Sequence, residues 1–257
     1  MFITTAGRTN EEMKGQAKAI AVELQIPYVE RNKRSVAQMQ HHMNDSCIVV
    51  GKERLELFAN GESEPFFFHP NSAMFRIKRL IRGEHDPFID ACQLRRGMSF
   101  VDCTLGLASD SIVASFQVGP EGKVIGTEAE KYLSYIVQRG LNQWESEISD
   151  INAAMSRIKV IHIHSYDYLK TLANESVDCV YFDPMFEESI LESDGIRALT
   201  NIAVYEEFQS LLLEEALRVA KERVVLKDHY QSKRFSQFGF QVIQRKTAKF
   251  HFGIIEK

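Results

Sequence analysis

No apolar run in the sequence approaches the roughly 20 residues that span a bilayer. The opening Met1-Phe2-Ile3-Thr4-Thr5-Ala6-Gly7-Arg8 lacks the basic-then-apolar order of a secretory leader. The expectation is a cytoplasmic protein with no membrane partner. There is no C-x-x-C pair either: Cys47, Cys92, Cys103 and Cys179 lie far apart, each in or beside an apolar segment. That argues against a zinc or redox centre and for four small buried hydrophobes. Charge of one sign is also missing, since 31 Lys and Arg stand against 35 Asp and Glu, a net of −4. A polyanionic partner would therefore have to be met by a local basic patch. No internal repeat or low-complexity segment is visible, which removes solenoids and extended disorder.

What is present is an ordinary globular composition, 44% hydrophobic and 26% charged over 257 residues, long enough for one sizeable core and a small appendage. From about Phe100 to Glu256, short apolar runs alternate with longer helical patterns, as in a parallel sheet covered by helices. Strands are expected at Ser99 to Cys103, Lys123 to Thr127, Ile158 to Ile163, Val177 to Asp183 and Arg223 to Leu226. Helices are expected at Asp110 to Gln117, Glu130 to Trp144 and Tyr205 to Lys221. In the last of these, Leu211, Leu212, Glu215, Leu217 and Arg218 sort onto opposite faces. The closing runs Phe240 to Gln244 and Lys249 to Ile255 read as an antiparallel pair at the sheet edge.

The first 70 residues break this rhythm. Glu11 to Leu24 reads as a helix, and Cys47 to Val50, Leu55 to Phe58 and Pro65 to Phe68 as short extended runs separated by Gly51 and the turn-forming Asn60-Gly61. We expect a small α+β appendage over 1–70 and a doubly wound α/β domain over 71–257, its sheet ending in an antiparallel hairpin.

Two stretches carry chemistry. Phe100 to Asp110 runs from a strand through small residues into a helix, where backbone N–H groups can meet a ligand's polar end and Gly106 permits close approach. Asp102 and Asp110 are acceptors, better suited to the ammonium of a methionine moiety than to a pyrophosphate. Only Gly106 satisfies the three-glycine dinucleotide fingerprint, so NAD is disfavoured. Thr104 and Ser111 flank the same turn and join the expected cofactor contacts. Glu128 ends the next strand, where doubly wound folds place an acid against ribose hydroxyls. Asp167, after the third strand, is a further candidate. His162 and His164 alternate on one strand without a carboxylate motif beside them, so no metal is expected.

The second stretch, Val177-Asp178-Cys179-Val180-Tyr181-Phe182-Asp183-Pro184-Met185-Phe186, resembles the D/N-P-P-Y/F motif of methyltransferases that act on amino groups of nucleic-acid bases. Such an amino group is a poor nucleophile because its lone pair is delocalised into the ring. Two acceptors aimed at its hydrogens, the Asp183 carboxylate and the Pro184 carbonyl, would favour the pyramidal nitrogen of the transition state. Phe186 would stack on the extruded base.

Ala73-Met74-Phe75-Arg76-Ile77-Lys78-Arg79, Val101 to Leu107 with Asp110, Asp183 to Phe186, and Arg223-Val224-Val225-Leu226-Lys227 together resemble the RsmJ family of small-subunit ribosomal RNA guanine-N2 methyltransferases. The resemblance runs from about Pro70 to the carboxyl terminus. It implies a class I, Rossmann-like methyltransferase fold, S-adenosylmethionine as donor, and ribosomal RNA or the small subunit as partner. Independently of the resemblance, Arg76, Lys78, Arg79 and Arg82 form a basic cluster before the catalytic domain and Arg31, Lys33 and Arg34 another in the appendage. Each reads either as a set of phosphate contacts or as a solvated charged face, and Arg76, Lys78, Arg79 and Lys227 are the expected substrate contacts. Ala108 stands where the family's loop has glycine, and Glu187 where the family tends to have proline. A methyltransferase of a small molecule or protein side chain, and a catalytically silent S-adenosylmethionine-binding module, are the alternatives.

Overall fold

The computed structural model describes residues 1–184, 208–246 and 248–257. They fall into two compact units, Met1–Phe68 and the described parts of His69–Ile190 and Val204–Lys257.

The first unit is a three-stranded sheet with two helices. β1 (Phe2–Thr5) pairs parallel with β2 (Cys47–Val50), in register Phe2 with Cys47, and β2 pairs antiparallel with β3 (Leu55–Phe58). Helix α1 (Glu11–Leu24) begins where the Asn10 side chain accepts the Met13 N–H. Helix α2 (Val36–Met43) opens on a capping box between Ser35 and Gln38. Phe2, Met39, Cys47, Val49 and Phe58 pack together as the core. The expected extended run at Pro65 to Phe68 contributes only an antiparallel bridge from Phe66 to Leu57.

The second unit holds a seven-stranded sheet in the order β6-β5-β4-β7-β8-β10-β9. Its strands are β4 (Ser99–Asp102), β5 (Lys123–Glu128), β6 (Lys159–His162), β7 (Val177–Phe182), β8 (Ala220–His229), β9 (Gln241–Ile243) and β10 (Phe250–Glu256). The first five in this order run parallel, whereas β10 is antiparallel to both β8 and β9. This is the doubly wound sheet with its antiparallel end that the run lengths predict. The strand order reverses between β4 and β7, the point at which such sheets open a crevice beyond their carboxyl ends.

Helices α3 (Asn71–Ile81), α4 (Pro87–Cys92), α5 (Ser109–Val118), α6 (Lys131–Gln143), α7 (Ser149–Ser156) and α8 (Ser165–Thr171) follow in chain order. The next described helix, α9 (Ser210–Val219), buries Leu212, Leu213, Ala216 and Val219, while Leu211 faces solvent. Leu211 therefore belongs to the outer face, one residue out of phase with the stripe that covers the sheet. The expected start of this helix at Tyr205 lies outside the described residues. Beneath the crevice, Phe88, Phe100 and Tyr181 form an aromatic trio with ring centroids 5.0–5.7 Å apart. No helix among the described residues is long and apolar enough to cross a membrane.

Candidate active site

Two carboxylates sit at adjacent strand ends. Asp102 closes β4 almost fully buried, its side chain accepting the Thr104 N–H at 3.0 Å and the Ser111 hydroxyl at 2.7 Å. Burial outweighs these bonds and lifts its pKa to about 7. Glu128 closes β5, with Oε2 accepting from Gly106 N at 3.3 Å and Oε1 from Glu130 N at 3.0 Å. Burial raises its pKa to about 7 as well.

The turn between Asp102 and α5 lies directly on β5. A Cβ added at Gly126 would sit 2.2 Å from Leu105 Cδ1, so any larger residue there would displace the Leu105 side chain. Gly106 and Ala108 both adopt the left-handed region, at φ 48° and 60°. For Ala108 that conformation is strained, which explains why glycine suits the position.

A second group surrounds the end of β7. The Asp183 backbone N–H donates to Thr104 Oγ1 at 2.6 Å, and its Oδ2 accepts from Lys227 Nζ at 2.6 Å. Lys227 also reaches Asp110 Oδ2 at 3.2 Å, and the Tyr181 hydroxyl donates to that same oxygen at 2.8 Å. Arg76 donates to Asp110 Oδ1 at 2.5 Å and forks onto both oxygens of Asp86 at 2.7 and 2.8 Å.

Burial lifts the Asp183 pKa to about 6, with Lys227 pulling it down and the Asp110 carboxylate pushing it up. Although burial opposes ionisation of Asp110, Lys227 and Arg76 hold it well below the usual carboxylate range. Lys227 stays protonated against its own burial because Asp110 and Asp183 face it.

Asp102, Thr104, Gly106, Asp110, Ser111, Glu128, Asp183, Pro184 and Lys227 are thus gathered along one sheet edge. Arg76 joins them, but not as the expected substrate-facing cation. It turns inward, with the side chain only 19% exposed, because two buried carboxylates need its charge. Asp110, expected among the cofactor contacts, is likewise engaged by Arg76, Lys227 and Tyr181.

The remaining candidates lie apart. Asp167 is exposed in the first turn of α8, and Lys78 is exposed on α3. Arg79 and Arg82 both pair with Glu84. Phe186 lies outside the described residues. The sequence reading missed Asp86 and Tyr181. Asp86 had a local signal, an aspartate before Pro87 that caps α4 by accepting the Phe88 N–H.

Among the described residues no group of three or more His, Cys, Asp or Glu has a metal-holding arrangement. The His162 Nε2 lies 3.0 Å from the Ala129 carbonyl. The chemistry of the edge suits a different ligand. Asp102, buried, and Glu128, half-buried, are acceptors whose ionised forms gain from a cation or from hydroxyl donors, and the intervening turn admits close approach. The ammonium of an amino acid linked through sulfur to a ribose, two parts of S-adenosylmethionine, matches that donor and acceptor set.

A doubly wound sheet with acids at successive strand ends and an Asp-Pro at the switch point defines a class I methyltransferase. The chain belongs to the SAM-dependent methyltransferase family: the family model described as "Putative SAM-dependent methyltransferase" matches residues 32–254. It is a methyltransferase whose donor is S-adenosylmethionine. It is 46% identical to the uncharacterized protein YpiP of Bacillus subtilis over 255 residues, 99% of either chain. It is 28% identical over 187 residues to the ribosomal RNA small subunit methyltransferase J of Nitrosococcus oceani, covering 70% of this chain and 72% of that one. In fold it is similar to a SAM-dependent methyltransferase from Neisseria gonorrhoeae, with a TM-score of 0.61 at 20% identity over 100% of this chain and 96% of that one.

Proposed function

We propose that the protein methylates the exocyclic N2 amino group of a guanine in small-subunit ribosomal RNA, with the chemistry carried by the unit from about residue 71 onward. One observation carries the reading: Asp183, followed by Pro184, stands at the switch point with its carboxylate held by Lys227 at 2.6 Å. The resemblance to ribosomal RNA methyltransferase J supports the choice of acceptor.

S-adenosylmethionine supplies an electrophilic methyl group on a sulfonium. Asp102 and Glu128 are the assigned partners of its ammonium and ribose hydroxyls, with Thr104, Gly106 and Ser111 shaping the turn and Asp167 beside the third strand. Asp183 Oδ1 and the Pro184 carbonyl accept the two hydrogens of the guanine amino group, which localises its lone pair for attack. As the N–C bond formed, the methyl–sulfur bond of the donor would break, the thioether S-adenosylhomocysteine would leave, and the nitrogen would have to shed a proton. A carboxylate titrating near 6 is ionised at neutral pH yet basic enough to receive it. Lys227 fixes Asp183 in place, and Arg76 acts through Asp110 to fix Lys227. Phe186 is the assigned stacking residue, and Lys78 and Arg79 the assigned phosphate contacts.

The test is methyl transfer from labelled S-adenosylmethionine to small-subunit ribosomal RNA, naked and assembled, taken from cells lacking the protein. Nuclease digestion and chromatography should locate the label in N2-methylguanosine. Label in another base, or none in RNA while a protein or small molecule is labelled, would overturn the acceptor assignment.

A further inference from the structure

β8 and β10 bring another group of side chains to this sheet edge. The antiparallel register sets Phe250 opposite His229 and His251 opposite Asp228, so β10 begins beside the residues that follow Lys227. The half-buried Phe250 ring has Lys227 Nζ 5.0 Å and Arg245 Cζ 4.4 Å from its centroid. Tyr230 is 49% exposed, with the His229 ring 4.6 Å and the His251 ring 6.1 Å away.

The charge in this stretch runs against the rest of the chain. From Lys227 to His251 there are six cations, Lys227, Lys233, Arg234, Arg245, Lys246 and Lys249, against the single acid Asp228, a net of 6 − 1 = +5. The whole chain carries −4, so the remainder carries −4 − 5 = −9. Asp228 is buried and bonded to Ser232 and Arg234. Among the described residues no carboxylate is paired with Arg245. Lys227 links both groups, holding Asp183 on one side and facing Phe250 on the other.

We propose that Tyr230, Phe250, Arg245 and Lys246 form a platform for the single-stranded nucleotides flanking the methyl-accepting base. The inference rests on the reading of RNA as acceptor. Aromatic rings interleaved with cations stack on unpaired bases while the cations meet phosphates, a combination that a paired helix cannot use because its bases are already stacked. An acidic protein would use the cations but not the ring faces.

The test is anisotropy of a labelled single-stranded RNA of about 12 nucleotides titrated with the full chain in S-adenosylhomocysteine, over a range of salt. Tyr230→Ala should weaken binding roughly tenfold with little change in salt slope. Arg245→Gln with Lys246→Gln should weaken it and lower the salt slope by about 1.4, as expected for two lost phosphate contacts on a single strand. Affinity for S-adenosylhomocysteine, measured on each variant, should match the wild type and reports correct folding; Tyr230→Leu replaces Tyr230→Ala if that variant fails it. Wild-type binding by all variants, equal affinity of the wild type for duplex RNA, or no RNA binding by the wild type would each overturn the platform. Failure of the acceptor reading looks different. If ribosomal RNA is not methylated but the variants lose RNA binding, the platform stands and the acceptor falls. Undiminished methylation of ribosomal RNA by all variants does the reverse.

Discussion

The three-stranded sheet and the central strands β4, β7 and β8 of the seven-stranded sheet are each largely buried, and they differ in what they bury with them. In the three-stranded sheet β1 and β2 are buried at every position, and the buried polar residues of that unit are Thr4, Thr5 and Gln40, none of them charged. The seven-stranded unit buries Asp86, Asp102, Asp110, Arg223 and Asp228. An apolar strand is stabilised by leaving water, whereas a buried charge costs stability unless a partner meets it. Arg223 shows that one such charge need not mark a site: it donates to the Ala91 carbonyl and pairs with Glu256, away from the crevice. What distinguishes the crevice is convergence, with Asp110 and Asp183 close enough to raise the Asp102 pKa and Asp110 close enough to raise that of Asp183.

Removing one partner from the charged network should sharpen this contrast most. Arg76→Ala leaves Asp86 and Asp110 undercompensated and should destabilise the protein by about 3–5 kcal/mol. Urea unfolding measures this, and a loss below 1 kcal/mol would mean that the network is solvated. In the apolar sheet, Ile48→Ala removes a fully buried side chain and should cost about 2–5 kcal/mol, through a cavity instead of a charge. Only the Arg76 variant should also change the pH dependence of stability.

The pH dependence of donor binding separates the units further. Asp102 and Glu128 titrate near 7 in the folded chain, so protons compete with a ligand that needs their ionised forms. Affinity for S-adenosylhomocysteine should fall below that pH by up to roughly tenfold per unit for each group involved. Calorimetry in buffers of different ionisation enthalpy should register proton release on binding near neutrality. The stability of the free protein moves oppositely. These two acids ionise near 4 when unfolded, so between 4 and 7 the folded state holds more protons, and stability falls as pH rises. Asp110, whose pKa is lowered, contributes in the other sense: its stabilisation is present above the unfolded value and is lost as pH falls through the folded one.

The smallest expected effect is at Ala108. Glycine there relieves a left-handed alanine but adds freedom to the unfolded chain, for a net gain of about 0.5–1 kcal/mol in urea unfolding. A destabilised Ala108→Gly would show that the alanine methyl packs better than its backbone is strained.

Much of this was legible in the sequence where local pattern and burial agree. Apolar runs ending in an acid marked β4, β5 and β7 and therefore Asp102, Glu128 and Asp183. Helix α3 escaped because it covers only Ala73 and Ile77, and α7 and α8 because, at eight and seven residues, they are too short for a helical period to stand out. β1 is four residues long with no turn before it, and α2 was announced only by its capping box. The role of Arg76 was not legible at all. A basic run looks alike whether solvated or buried, and its partners Asp86 and Asp110 lie 10 and 34 residues away. Only the fold brings α3, the start of α4 and the start of α5 to one point.

On the proposed mechanism the methyl acceptor is held at Asp183. Single-turnover methyl transfer to small-subunit ribosomal RNA at saturating donor, compared between the wild type and Asp183→Ala, tests it most directly, with calorimetry of S-adenosylhomocysteine binding on both. Loss of one preorganised acceptor predicts a rate lower by about a hundredfold or more with donor affinity unchanged. A correctly folded Asp183→Ala protein that transfers methyl within a few-fold of the wild-type rate would contradict it.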